Sequence, residues 1–258
     1  MTPSFQQARF LESCLHSVLA QRSVAVDYVV QDGGSTDGSR DIIRAHSAHL
    51  HAWASEPDDG QADAIARGFA RTTGAPTDVM AWLNSDDLYL PNALAIVAEF
   101  FARHPEVDVV YGHRAVIDEA GRCIGHWIMP AHDDAVLRLN DFIPQETLFW
   151  RRRLWERVGG IDRSLQFALD WDLLLRFQAA GARLVRLPVF LGGFRVHSQQ
   201  KTSAAMHRIG QAEIDWLRTR THGRFLTSTE LADDVRLQRY LRASARREWC
   251  NALCGDRQ

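Results

Sequence analysis

The stretch Asp78-Val79-Met80-Ala81-Trp82-Leu83-Asn84-Ser85-Asp86-Asp87 decides how this chain is read. Its apolar centre is short and stops at two adjacent carboxylates, the pattern of a buried strand that delivers acidic side chains to the edge of a sheet. In open α/β sheets that edge, beyond the carboxyl ends of the strands, is where ligands bind. Adjacent carboxylates repel, and holding them together without a counterion costs free energy. A hard cation such as Mg²⁺ or Mn²⁺ relieves the repulsion, held by one or two carboxylates while substrate phosphates complete its shell. An isolated Asp-Asp more often marks a solvated turn, so the weight falls on what surrounds it.

Upstream, residues 6–21 carry apolar side chains at helical spacing, and a β-branched run over 24–30 ends in Gln31-Asp32-Gly33-Gly34-Ser35-Thr36-Asp37-Gly38. The glycines permit positive φ there, and Ser35, Thr36 or Asp37 can cap a helix over about 39–48. A strand near 50–54, a loop at 56–60 and a helix from Gln61 to about Arg71 follow. Downstream, Pro91 opens a helix to about Arg103, and 107–111 is a further strand. Strand alternating with helix four times over predicts an α/β fold with a mixed, mostly parallel sheet and flanking helices. The pattern then changes: a hairpin over 113–128 turning at Glu119-Ala120-Gly121, a strand at 146–150, helices at 152–158 and 170–180, and short strands around 183–196. Residues 203–258 read as a helical tail broken near Gly223 and 227–229. The first recognisable element is a helix, so the opening strand of the sheet is apparently missing; its loss would leave a hydrophobic seam and unpaired backbone groups. Either the natural start lies upstream or the fold compensates.

The 258 residues suffice for one large α/β domain with a small appendage. A formal net charge of −2 gives no case for nucleic acid binding. No apolar run is long enough for a transmembrane helix, and no signal peptide is visible. Four cysteines, Cys14, Cys123, Cys250 and Cys254, are too few and scattered for a disulfide framework, and a reducing cytoplasm is expected. Asp32, at a strand end before a glycine turn, reads equally as a carboxylate that receives hydrogen bonds from a nucleotide base and as an ordinary strand-to-helix turn.

Taken in order, the segments match a family. Thr2-Pro3-Ser4-Phe5, Ser17-Val18-Leu19-Ala20-Gln21, Asp32 to Gly38, Ser55-Glu56-Pro57-Asp58 through Gly60-Gln61-Ala62-Asp63-Ala64-Ile65, Trp82-Leu83-Asn84-Ser85-Asp86-Asp87, Gln145, Asp170-Trp171-Asp172-Leu173 and Phe194-Arg195-Val196-His197 recur at its spacing. The chain resembles the family 2 glycosyltransferases of GT-A fold over roughly residues 2–203, with 204–258 as a helical C-terminal extension. The resemblance implies inverting transfer of a sugar from a UDP- or GDP-sugar to a hydroxyl of a glycan or lipid-linked acceptor, with Mg²⁺ or Mn²⁺, in polysaccharide or cell-envelope synthesis. It implies that Asp32 binds the base, that Asp63 lies near the nucleotide and diphosphate, and that Asp86 is the last carboxylate of the metal-binding Asp-x-Asp. Asn84 stands at the first position of that motif, where it would make a neutral hydrogen bond to the donor. Gln145 and Arg195 are implied donor contacts, and His197 a metal ligand or diphosphate contact.

Asp170 matches the catalytic base, which would deprotonate the acceptor hydroxyl as it attacks the anomeric carbon, worth about 10²–10⁴-fold in rate. Its alternative is charge stabilisation at a helix N-terminus, worth only about 0.3–1 kcal/mol. Leu169 precedes it where relatives often carry glutamate. With one base and no evident nucleophile, direct displacement with inversion is favoured over a covalent intermediate. Asn84, Leu169 and the missing strand motivate a second class, a catalytically impaired nucleotide-sugar-binding protein or truncated fragment. A nucleotidyltransferase also uses paired carboxylates, but the segments at 145 and 170–197 argue against it. In the tail, Arg239, Arg242, Arg246 and Arg247 fall on one side of a helix and Leu237, Leu241, Trp249 and Leu253 on another. Such a helix either packs on its own domain or lies on an anionic membrane, placing the protein in the cytoplasm or peripherally at the inner membrane face.

Overall fold

The computed structural model describes residues 1–198 and 209–254, with side chains as far as residue 244. The first sheet is parallel, with β1 (Thr2–Ser4) against β2 (Val29–Asp32) and β2 against β3 (Ala52–Ser55). The opening strand is therefore present. It escapes a sequence reading because three residues including a proline carry no alternation, and proline argues against a central strand. The fold compensates through backbone and hydroxyl bonds. Leu83 donates its N–H to the Met1 carbonyl at 2.9 Å, the Met1 amino group donates to the Ala81 carbonyl at 2.9 Å, and the Thr2 and Tyr28 hydroxyls bond at 2.8 Å. The β2 strand is shorter than the 24–30 run, because only 29–32 have a neighbour on either side.

The second sheet runs β4 (Val79–Met80), β8 (Phe149–Arg151), β6 (Val109–Ile117), β9 (Leu184–Arg195), β5 (Leu88–Tyr89), with β7 (Cys123–Trp127) on β6. Among the described residues three strand pairings are parallel, β1/β2, β2/β3 and β6/β9, and four are antiparallel. The sheet is mixed: the alternating first third of the chain supplies β1/β2 and β2/β3, and the third parallel pairing, β6/β9, joins two later strands. Because Leu83 bonds Met1 while Val79 and Met80 pair with β8, the decisive stretch joins the two sheets.

Side-chain alternation along the strands divides the core into two faces. Val30, Leu83, Val110 and Phe149 pack with α1 (Ala8–Leu19), α2 (Ser39–His46) and α4 (Ala93–Arg103). Met80, Trp82, Val109, Tyr111 and Trp150 pack on the other face with α3 (Gln61–Ala70), α5 (Asp134–Leu137) and α7 (Leu169–Ala179). A short helix, α6 (Arg152–Val158), follows β8. The tail forms α8 (Gln211–His222), α9 (Ser228–Asp233) and α10 (Val235–Cys254). Its breaks have local causes: Gly223 ends α8 in the left-handed region at φ 70°, and Thr227 starts α9 with a reciprocal capping box to Glu230.

Leu217, Leu237 and Tyr240 lie in the same apolar cluster as Trp171. Full burial of a leucine side chain contributes roughly 1.5–3 kcal/mol, more than the ~0–1 kcal/mol of an exposed ion pair, so packing is the stronger hold on α8 and α10. Leu237 thus faces inward, while Arg239, Leu241 and Arg242 face solvent. The side chains of Arg246, Arg247, Trp249 and Leu253 lie outside those described.

Candidate active site

A cleft of about 950 Å³ opens at the carboxyl ends of β1, β2 and the 81–83 segment. One wall is Ser4, Gly33 and residues 58–61; the floor is Trp82 and residues 84–87; the far wall is Arg114, residues 140–146 and 165–171, and Arg218. Strand ends place the acidic turn at its centre, as the sheet topology requires.

In that turn the Asp86 carboxylate lies 3.0 Å from His197 Nε2. His197 is buried and its ring packs on Phe10 at 4.7 Å, while the Asp86 side chain remains 22% exposed. Asp87 is buried, and its carboxylate accepts the Arg195 N–H at 2.9 Å. Burial, then the Asp86 and Glu146 carboxylates, push the Asp87 pKa well above the usual range. A carboxylate oxygen on the cleft floor with an imidazole nitrogen 3.0 Å behind it suits Mn²⁺, with Mg²⁺ demanding more oxygen; two protein ligands leave positions for phosphate and water. The residues present therefore fit a divalent cation.

Asp170 opens onto the same cleft from the first turn of α7, one carboxylate oxygen accepting the Trp171 N–H at 2.9 Å. Its acidic neighbour comes from a distant loop. Asp141 lines the cleft, and there the surrounding protein, then the Asp170 charge, hold its pKa well above the ordinary carboxylate range even though solvent reaches it. Beside them Arg114 makes a two-pronged pair with buried Glu146 (2.7 and 2.6 Å) and stacks over Phe194 and Trp127. Burial is the largest influence and lowers the guanidinium pKa, but Glu146, with Asp87 and Asp141 beyond it, raises it above its ordinary value. Gly192 makes room for Glu146, since a methyl there would come within 2.6 Å of its Cγ. Gln145 donates to the Trp82 carbonyl at 2.8 Å, leaving its buried Oε1 without a hydrogen-bond partner. Asn84 accepts from the Gln61 amide at 2.8 Å, both lining the cleft.

The Glycosyl transferase family 2 model matches residues 1–166, nearly two thirds of the chain. The chain belongs to this family. It is 30% identical over 181 residues to a PGL/p-HBAD biosynthesis glycosyltransferase of Mycobacterium bovis, covering 67% of this chain and 66% of that protein. A match to an uncharacterized glycosyltransferase of Nostoc is also 30% identical, over 171 residues, 62% of this chain and 52% of the relative. The chain thus spans between half and two thirds of the length of these relatives. Among solved structures, S. aureus TarS 1–349 in complex with UDP-GlcNAc aligns with a TM-score of 0.67 at 16% identity, over 93% of this chain and 70% of that one. The mannosyltransferase PcManGT of Pyrobaculum calidifontis, in complex with GDP-Man and Mn²⁺, aligns at 0.65 and 20% identity, over 93% and 68%. At such identities the likeness establishes the GT-A fold of the chain.

Of the residues singled out in the sequence, Asn84, Asp86, Gln145 and Asp170 line the cleft, with His197 hydrogen-bonded to Asp86. Asp32, Asp63 and Arg195 do not. Asp32 is fully buried behind Gly33, where it accepts from the Gly34 and Ser35 N–H groups and the Ser35 and Ser55 hydroxyls, so its oxygens are committed to shaping the loop. Asp63 turns away to Arg67 (2.7 Å) and Arg163 (3.4 Å) and takes the Asp59 N–H at 3.3 Å. Arg195 is 2% exposed and lies behind the acidic turn. The carboxylate that faces the cleft beside Gly33 is Asp58: a methyl on Gly33 would lie 2.9 Å from its Oδ2. Among the described residues, the one cluster of three His and acidic groups within 4.8 Å is Glu12, His16 and His46, none of which lines the cleft.

Because folded Asp141 holds its proton more tightly than the unfolded chain does, stability contributed by the protonated form is lost as pH rises from the ordinary carboxylate range, about 3.9, towards the raised value. Asp141→Asn, which cannot ionise, is expected to melt higher than the parent near pH 7 and to match it below about pH 4. Paired melting curves across that range check this, and a lower melting temperature for the variant near neutrality contradicts it.

Proposed function

We propose that the transferase moves a sugar, with inversion, from a UDP- or GDP-sugar to a hydroxyl of a glycan or lipid-linked acceptor, assisted by Mg²⁺ or Mn²⁺. The observation that carries this reading is that the Asp86–His197 pair and the Asp170 carboxylate serve one cleft. Asp86 and His197 would hold the cation, which when bound offsets charge on the departing diphosphate. Asp170 takes the proton of the attacking hydroxyl, and Asp141 beside it supplies the second acidic group that Leu169 does not. The base sits against Gly33 and Asp58 rather than Asp32. Asn84, with Gln61, and the open acceptor Oε1 of Gln145 receive donor hydroxyls. Asp32, Asp63 and Arg195 act by fixing the loops on which those contacts stand. TarS in complex with UDP-GlcNAc and the Pyrobaculum enzyme in complex with GDP-Man and Mn²⁺ support the donor class. The presence of β1, and of Asp141 beside the base, removes two grounds for the impaired alternative. We assign the transferase domain to 1–203 and a C-terminal extension to 204–258, of which 211–254 form α8, α9 and α10; the boundary at 203 lies outside the described residues.

A thermal-shift screen of UDP-, GDP- and dTDP-sugars with and without Mn²⁺ tests the donor site. One nucleotide is expected to stabilise the protein in a Mn²⁺-dependent way, and Asp86→Ala to abolish the effect; a folded protein that no donor stabilises contradicts the reading. With that donor, NMR of the product is expected to show an inverted anomeric configuration, and retention sinks the one-base scheme.

Among the described residues no helix is long and apolar enough to cross a membrane. Peripheral contact through α10 is supported by the solvent-facing Arg239, Leu241 and Arg242. Arg239→Glu with Arg242→Glu is expected to reduce pelleting with anionic vesicles; equal pelleting removes the idea.

A further inference from the structure

Helix α7 starts without a capping residue of its own. Its N-cap is Ala168, which has no side-chain oxygen, and the backbone that leads into the helix is held from elsewhere. Glu213, in the first turn of α8, holds it with both oxygens: Oε1 accepts the Gln166 N–H at 2.7 Å, and Oε2 accepts those of Phe167 and Ala168 at 2.9 and 2.8 Å. Asp170 is two residues further on. The same helix holds α7 from a second point, Arg220 pairing with buried Asp172 at 2.6 Å, and reaches the cleft wall through Arg218, which donates to the Leu139 carbonyl at 2.8 Å. There is little slack in this seam. Gly210, just before α8, lies against Phe167, where an added methyl would stand 2.9 Å from the ring.

We propose that Glu213 is a positioning residue for the reaction: by clamping the backbone of residues 166–168 it sets where the Asp170 carboxylate stands in the cleft. This rests on the reading of Asp170 as the base. The physical reason to expect a catalytic rather than merely structural effect lies in the disparity of sensitivities. The seam is already held by the packing of Leu217 against the α7 cluster and by the Arg220–Asp172 pair, so loss of one clamp leaves the fold standing. A displacement of about 1 Å at a reacting group, by contrast, costs on the order of 100-fold in rate. Three charge-assisted hydrogen bonds to consecutive backbone amides define position and direction more tightly than apolar packing does. The helical extension is thereby part of the catalytic apparatus, although it reaches the chemistry only through the backbone.

The test uses the full chain, the UDP- or GDP-sugar that stabilises it, Mn²⁺, and water as acceptor, with release of nucleoside diphosphate as the readout. Glu213→Ala is expected to lower kcat on the order of 10–100-fold with the donor KM changed less than about twofold. Glu213→Gln, which keeps one accepting oxygen in place, is expected to recover most of the loss. In an Asp170→Asn background, adding Glu213→Ala is expected to change the rate by less than about twofold, because there is no longer a base to misplace. The proposal is overturned if Glu213→Ala leaves kcat unchanged, if its loss is equal in both backgrounds, or if it raises the donor KM in step with a fall in melting temperature. An unimpaired Asp170→Asn enzyme would instead remove the base assignment itself, and the proposal with it.

Discussion

The buried guanidinium of Arg195 is the interaction on which the geometry of the cleft rests. It donates to the Asp86 carbonyl at 2.7 Å, to the Asp118 and Glu119 carbonyls at 3.1 and 3.0 Å, and to the Ser13 hydroxyl at 3.1 Å. Its own backbone N–H meets the Asp87 carboxylate, and two residues later His197 meets that of Asp86. An unpaired buried charge is costly, and the oxygens gathered around this one offset that cost only in this arrangement. The end of β9, the acidic turn, the β6–β7 turn and α1 are therefore held together as one unit. Two mutually repelling carboxylates become tolerable because one is pinned beneath the turn and the other keeps a face to the cleft.

The same unit depends on the short β1 strand. Residues 81–83 are held between the two sheets by the backbone of Met1 on one side and by the turn into β8 pairing on the other. The acidic turn thus emerges beside the ends of β1 and β2, against which the 58–61 loop packs. From the far side, α7 brings Asp170 and the 140–146 loop brings Asp141, so the cleft is a meeting of strand ends with one helix start. The near wall and the floor are positioned by charged groups that do not themselves line the cleft: Asp32 behind Gly33, Asp63 beneath the 58–60 loop, and Arg195 behind the turn.

Much of this was legible in the sequence, for physical reasons that also mark the limit. Helices with clear periodicity and breakers, such as α3 after Gly60 and α6 over 152–158, lie where the pattern puts them. The strand over 24–30 did not, because pairing partners rather than β-branched residues decide where a strand begins. A motif gives residue type and place in the chain, but not which way a carboxylate turns at a strand end. Asp32 and Asp63 turn inward because glycine turns and nearby arginines offer better partners than solvent. Asp141, Arg114 and Glu213 carry no local signature, since each matters through a partner from a distant segment, while Asp58 stands in the matched Ser55-Glu56-Pro57-Asp58 segment, which does not say which of its side chains faces the cleft. Glu146 had one trace, an acidic residue beside Gln145, whose meaning appears only once Arg114 lies across from it.

The central claim is that Asp86 and His197, set by Arg195, form one half of the catalytic centre by holding a divalent cation together with the donor diphosphate. Electron paramagnetic resonance of Mn²⁺ titrated into the full chain with saturating UDP or GDP tests it most directly. The account predicts that the signal of free Mn²⁺ falls with the parent protein in the presence of nucleotide and persists with folded Asp86→Ala and His197→Ala variants. Equal uptake by all three proteins, or none by the parent, would contradict it.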